Sequence, residues 1–410
     1  MEIRTDGFDG ARLERITDHL VTRYVQPGKI AGCQALVARR GHVAYFRSLG
    51  VASLETRAPV RDDTIWRIYS MTKPVTSVAL MTLYERGDLH LADPVHRFIP
   101  RWKDLRVCVG DGAGSRLVEP DRPVSVRDLL THISGLGYGS DPDHPVDRLY
   151  TEADLRGSDV DLEELTRRLG ELPLKFQPGT RWHYSFATDV CARLVEVVSG
   201  RRFGDYLREV IFEPLGMADT GFAVPAGARD RLAANYQRQA DKTLLLVDDP
   251  ARSPYLAPRA MQSGGGGLVS TTPDYLRFAE MLRRGGELDG HRVLGRNTVR
   301  FMTRNHLPGG ESIGDMAFGP GETGSRAVMG FGPGFAGAGF GLGFSVTIDP
   351  VRSQVIGSPG EYSWGGAAST VFWVDPVEDM IVIFMTQLMP AGTFDFRGQL
   401  QALVHQALVD

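Results

Sequence analysis

Apolar residues recur along the chain at helical spacing in some stretches and at strand spacing in others. Leu13, Ile16, Leu20 and Val21 share one helical face, which predicts an amphipathic helix within residues 9–25. "AGCQALVARRGHVAYFRSLG" then predicts a hairpin, with strands Ala31–Val37 and Val43–Leu49 joined by a turn through Gly41. After Lys73 a helix is apolar almost all round until Glu85 and Arg86, with Gly87 suited to end it. A helix without a polar face belongs in the interior. Further helices are predicted over Leu162–Leu169, Ala187–Val198, Phe203–Phe212 and Thr272–Arg284. "YGSDPDHPVD" predicts a surface loop. Residues 319–343 are dense in glycine. Strands follow at Gly343–Ile348, Ala367–Val374 and Met380–Thr386, the last two joined by "DPVED", and "GQLQALVHQAL" closes the chain as an amphipathic helix.

Strands therefore gather at both ends of the chain. This predicts an α+β fold: one antiparallel sheet from N- and C-terminal segments, flanked by helices, with a mostly helical region inserted between them. The boundaries read as a single unit over 1–410, with an α/β lobe from 1–95 and 251–410 and a mostly helical lobe from 96–250. No internal repeat interrupts this pattern, and the glycine-rich loops are the one compositional bias along the chain.

Composition narrows the function classes. The 410 residues are 42% hydrophobic and 23% charged, with a net charge of -4. That balance gives no reason to expect a nucleic-acid partner. Cys33, Cys108 and Cys191 are odd in number and widely spaced, so they predict neither a disulfide framework nor a metal site, in keeping with a reducing compartment. The N-terminus lacks a basic start followed by an apolar stretch, and no uncharged apolar run is long enough to span a bilayer. The expectation is a cytoplasmic protein without membrane contact, with no cofactor and no metal.

The candidate chemistry lies in "RIYSMTKPVTSVAL". Lysine is rare here: of 46 basic residues only Lys29, Lys73, Lys103, Lys175 and Lys242 are lysines. A desolvated lysine can lose its proton, whereas arginine stays charged. Ser70 and Lys73 are three apart and share a face if the chain is helical. Pro74 is tolerated only in a first helical turn, so the helix starts near Met71 or Thr72. Ser70 then sits at the positive end, where an oxyanion is favoured, and the same field with burial lowers the pKa of Lys73. A serine becomes a nucleophile when a neighbouring base takes its proton. Against this stands the bland reading, a capping serine beside a surface lysine, and Pro74 also biases Lys73 away from helical angles.

Further segments decide between these readings. "RDLLTHISGL", "FQPGTRWHYSFATDVCARLVEVVSG", "GGGGLVSTTPDYLRFAEML" and "FGLGFSV" follow in order. Together with Ser70-x-x-Lys73 the set resembles the serine β-lactamase/penicillin-binding-protein superfamily over roughly residues 10–390. The resemblance implies a β-lactamase/transpeptidase-like fold. It implies Ser70 as acylated nucleophile, Lys73 as its partner, and Tyr184 as the tyrosine sharing the proton, its phenol made acidic by the adjacent cation. Which of Lys73 and Tyr184 is the base stays open. Where β-lactamases of this type carry Tyr-x-Asn, this chain has Tyr184-Ser185-Phe186. Where they carry Lys-Thr-Gly or His-Thr-Gly, it has Trp364-Gly365-Gly366. That replacement resembles the family VIII carboxylesterases. It implies substrate contacts at Trp364, Gly365, Gly366 and Phe186, and an oxyanion hole from the backbone N–H groups of Ser70 and Ala367.

Competing motifs read as structural. Ser312 lies in "GESIG", which matches a nucleophile elbow but lacks the flanking strand and helix. Gly332-Pro-Gly334-Phe-Ala-Gly337 precedes a strand rather than the helix that a dinucleotide site needs. Asp141, Asp143, His144 and Asp147 read as a solvated loop, and His132 and His183 as hydrogen-bonded histidines. The expected function is a serine carboxylesterase acting on small to medium acyl esters. The alternatives are an acyltransferase, a β-lactam or amide hydrolase using the same site, and a non-catalytic ligand-binding protein.

Overall fold

The computed structural model describes residues 3–110, 114–157, 159–317 and 333–410. Its centre is a sheet of β1 (Gly32–Arg39), β2 (His42–Gly50), β3 (Ala338–Phe340), β4 (Ser345–Thr347), β5 (Tyr362–Gly365), β6 (Val371–Asp375) and β7 (Met380–Thr386). The order is β3-β4-β5-β6-β7-β1-β2, antiparallel throughout. The N-terminal hairpin joins the C-terminal strands along β1 and β7, with Leu36 opposite Ile383.

Both faces of this seam are covered, which explains the apolar runs Ala35–Ala38 in β1 and Met380–Met385 in β7. Successive side chains point to opposite faces. Leu36, Ala38, Ile381 and Ile383 enter the larger core, while Ala35, Val37, Val382 and Phe384 enter a second one. That second core is closed by α1 (Gly10–Leu20) and the last helix of the chain (Phe396–His405), through Leu13, Ile16, Leu400 and Val404. On the larger side lie α2 (Thr72–Glu85), α3 (Ala187–Ser199) and α4 (Thr272–Arg283); the last helix is α5. Every residue of α2 from Thr72 to Leu83 is buried, as its lack of a polar face requires. Gly87 follows with φ 77°. All three cysteines are buried and unbridged.

Several elements differ from expectation, each for a physical reason. A strand expected over Ala367–Val374 starts only at Val371. Residues 366–370 are a tight turn, closed by Gly366 N–H donating to the Thr370 carbonyl at 2.8 Å and by Ser369 at φ 65°. Ala368 is apolar because the turn tucks inward, not because it is a strand. Trp364 and Gly365 lie within a strand of their own, β5. The supposed surface loop 138–147 turns into a helix at Pro145, the helix spanning Pro145–Glu152 with His144 as its cap. Its Asp147 is enclosed and accepts from Lys175 Nζ at 2.6 Å. The Phe203–Phe212 helix is α-helical only to Leu207 and widens over Arg208–Phe212. Residues 96–250 also carry short strands. Among them, Asn235–Arg238 pairs with Leu388–Met389 and ties this region to the C-terminal segment.

One strand outside the main sheet, Ile65–Arg67, delivers the chain to Ser70. It pairs with Val269–Thr271. Arg67 is fully enclosed: its guanidinium donates to Asp248 at 2.6 Å, to the Ala233 carbonyl at 2.5 Å and to Ser253 at 3.0 Å. Removing one partner of a buried ion pair strands the other. Arg67→Ala is therefore expected to destabilise the fold by about 3–5 kcal/mol, read as a lower midpoint in urea unfolding.

Candidate active site

Ser70 is held by strain, packing and a helix start. Tyr69 has φ 43°, a left-handed conformation that a tyrosine adopts only under constraint. Its phenol oxygen accepts from Asn235 Nδ2 at 2.8 Å, and the preceding Ile68 N–H donates to the Leu268 carbonyl at 3.1 Å. A 3₁₀ turn over Tyr69–Met71 then runs directly into α2. Ser70 thus stands at the positive end of a 14-residue helix. Lys73 is helical despite the proline that follows it. Pro74 falls in the first turn, where its missing N–H leaves no bond unmade.

Lys73 is 1% exposed. Its Nζ donates to the Gly265 carbonyl at 2.6 Å and to Ser70 Oγ at 3.3 Å. It lies 4.3 Å from the centroid of the Tyr184 ring. Burial lowers its pKa from the ordinary lysine value to about 7; nearby Asp189 opposes this shift and Arg156 reinforces it.

Tyr184 reaches the same point from the opposite side. A turn at Gly179, φ 89°, and the His183 N–H bonded to the His132 carbonyl at 2.8 Å bring it in just before α3. Its phenol is hydrogen-bonded to Ser70 and accepts from the Trp364 indole N–H at 3.3 Å. The expected acidic phenol is not what this environment produces. Burial raises the Tyr184 pKa above that of a free tyrosine, and the bonds to Ser70 and Trp364 only partly offset it. Burial thus acts oppositely on the two groups, destabilising the ammonium of one and the phenolate of the other.

The structure therefore brings Ser70, Lys73, Tyr184 and Trp364 together. Trp364 is 5% exposed and packs edge-on against Phe340 at 5.3 Å, so it is more a support for the phenol than an open wall. The turn after it lies against the backbone entering the Ser70 helix. A Cβ on Gly366 would sit 2.5 Å from the Ile68 carbonyl oxygen, so only glycine lets the turn approach that closely. Phe186 stands further off: it packs on Tyr138 at 4.7 Å, and Tyr138 lies between it and Lys73.

Sequence reasoning passed over Asp189 and the loop facing it. Asp189 Oδ1 accepts from Ser263 Oγ at 2.5 Å and from Gly265 N–H at 3.0 Å. It thereby fixes the carbonyl that receives Lys73. A Cβ on Gly265 would meet Asp189, and one on Gly264 would lie 2.8 Å from the Thr188 carbonyl, so the glycine run is a close passage against α3. The available signal was a carboxylate on the apolar face of α3, between Ala187 and Val190.

The competing motifs resolve as structure. Ser312 caps the short helix Ile313–Met316 in a capping box with Asp315. Gly332 lies outside the described residues; Pro333–Gly337 is a 3₁₀ turn leading into β3. Asp141 accepts from the Asp143 N–H. His132 contacts Ser185 Oγ at 3.2 Å and Thr188 Oγ1 at 3.4 Å, and His183 lies 3.5 Å from Lys175 Nζ.

With this geometry in place, the relatives are informative. The Beta-lactamase family model matches residues 17–406, and the chain belongs to that family. An uncharacterised protein of Mycobacterium tuberculosis is 36% identical, over 90% of this chain and 88% of its own length. Esterase EstB of Burkholderia gladioli is 30% identical, over 94% and 93% respectively. The solved structure of EstCE1, "a hydrolase with promiscuous acyltransferase activity", has a TM-score of 0.78 at 26% identity, covering 98% of this chain and 99% of that one. The fold is β-lactamase/transpeptidase-like, and the protein is a serine hydrolase of the esterase-like branch. Among the described residues no helix is long and apolar enough to cross a membrane.

Gly366→Ala is expected to leave the circular-dichroism spectrum unchanged but to lower hydrolysis of p-nitrophenyl esters by about 10²-fold, because the turn carrying Ala367 is pushed off the Ile68 carbonyl.

Proposed function

We propose that the protein is a serine carboxylesterase that hydrolyses small to medium acyl esters through an acyl-enzyme on Ser70. The observation that carries this reading is the lysine amine, enclosed and drawn to a pKa of about 7, within 3.3 Å of Ser70 Oγ. A neutral Lys73 keeps its N–H on the Gly265 carbonyl and turns its lone pair to the serine. It takes the hydroxyl proton as Oγ attacks the ester carbonyl. The tetrahedral oxyanion is held by the N–H groups of Ser70 and Ala367 at the positive end of α2. Tyr184, kept protonated by burial and oriented by Trp364, donates towards the departing alcohol oxygen and is reprotonated from Lys73. Water, deprotonated by the same amine, then attacks the acyl-enzyme and frees Ser70. Lys73 is thus assigned as the base and Tyr184 as the relay.

The relatives leave the acyl acceptor open, since EstCE1 is a hydrolase with promiscuous acyltransferase activity. Competing a short alcohol against water in the deacylation step separates hydrolase from acyltransferase. A chromogenic cephalosporin tests the lactam reading. Replacement of Lys-Thr-Gly by Trp364-Gly365-Gly366 argues against that reading, because the cationic and hydroxyl groups for a lactam carboxylate are gone.

Ser70→Ala is expected to abolish turnover and to remove the acyl adduct seen by intact mass after p-nitrophenyl butyrate. Lys73→Arg should lower kcat by at least about 10²-fold with the fold intact, because an arginine does not give up its proton. Near wild-type rates for Lys73→Arg would overturn the assignment.

The pH profile follows from the same amine. Activity needs neutral Lys73, so kcat/KM should rise with pH through an apparent pKa near 7. Between that value and the ordinary lysine pKa the folded chain holds one proton fewer at this site than the unfolded chain. This site's contribution to stability therefore increases with pH across the same window. A flat profile from pH 6 to 8 would contradict the assignment.

A further inference from the structure

A second cluster of chemically capable side chains lies outside the Ser70 site. Glu361 immediately precedes β5, Asp375 ends β6, and His405 ends α5. One ligand atom from each lies within 4.8 Å of the others. Glu361 is 1% and Asp375 0% exposed, so two carboxylates share a closed space. Among the described residues one cation is bonded to them: Arg397 donates to Glu361 Oε1 at 2.9 Å. Gln401 Nε2 donates to both oxygens of Glu361, at 2.9 and 3.1 Å.

Asp375 is left short of partners. Its Oδ1 accepts from the Val377 and Glu378 N–H groups in the turn to β7. Its Oδ2 is enclosed and has no hydrogen-bond partner among the described residues, and the same holds for Gln401 Oε1 and His405 Nε2. An enclosed carboxylate oxygen without a partner is costly. Here that oxygen, an amide oxygen and an imidazole nitrogen go unmatched in one cluster. A group that accepts lone pairs, held among the three clustered residues, would satisfy the carboxylate oxygen. His405 also lines an open pocket of ≈ 450 Å³, together with Gln354, Asp395 and Gln406.

We propose that Glu361, Asp375 and His405 bind a divalent transition-metal ion of the zinc class, which clamps the last helix to the ends of β5 and β6. One imidazole and two carboxylates form a nitrogen–oxygen set suited to such an ion, with bonds of about 2.0–2.2 Å. Gln401 orients the set through its Nε2 bonds to Glu361. The excess negative charge of the pair over Arg397 favours a cation over a neutral occupant. The role is structural, because the catalytic side chains lie elsewhere.

The test uses the full-length protein, stripped with EDTA and desalted, then titrated with Zn²⁺ by calorimetry, with bound metal counted by mass spectrometry. About one ion per chain is expected, with a rise of Tm on zinc addition. Asp375→Asn and His405→Ala should lose both the binding and the Tm response, while Ser70→Ala keeps them. Zinc uptake that is absent from the wild type, or equal in the wild type and both variants (an adventitious ion only), would overturn the proposal. If either variant fails to fold, Co²⁺ added to the wild type decides. Strong visible bands of a low-coordinate nitrogen–oxygen site support the clamp, and the pale spectrum of hydrated cobalt refutes it.

Discussion

An amine enclosed beside a serine hydroxyl is the constraint around which this structure is arranged. Burying a lysine in its charged form is expensive, and the chain meets that cost by letting the proton go. The surroundings keep the balance close. Asp189 pulls towards the ammonium and Arg156 pushes away from it, leaving the pKa near neutrality. Had Asp189 paired directly with the amine, Lys73 would be a salt-bridge partner. Its carboxylate is occupied instead by Ser263 and Gly265, so it orders the loop whose carbonyl receives the amine.

The rest of the fold serves to bring three distant segments to that amine. The buried helix α2 carries Ser70 and Lys73, and the entry to α3 carries Tyr184. The turn between β5 and β6 carries Ala367 and, one strand back, Trp364. None of these could be positioned by local structure alone. Tyr69 is strained, and its strain is held by Asn235 and by the strand pairing of Ile65–Arg67. Arg67 lies three residues before Ser70 and anchors that strand in the interior. Stability and site geometry are coupled here through a short stretch of chain.

Much of this was legible in the residue pattern. The helix bounds Leu162–Leu169 and the strand bounds Met380–Thr386 coincide with the periodic runs that predicted them. Strands at both ends of the chain implied one sheet closing the termini together, and β1 against β7 is that closure. Misreadings fell where apolar character came from a different source. Ala368 is buried inside a turn whose Gly366 packs against Ile68, and Asp147 is polar but buried because Lys175 meets it. Neither condition leaves a period in the sequence.

For the site, the serine and lysine three apart, the proline behind them and the apolar run that follows were set by sequence alone. Each is a statement about one turn of one helix, and local geometry is encoded locally. The protonation of that lysine, the phenol kept protonated beside it and the indole that orients the phenol were decided only in the folded chain. They depend on which distant groups exclude water and which carbonyls and carboxylates lie within reach. Charge in a protein interior answers to distance and desolvation through space, and the linear order of residues carries neither.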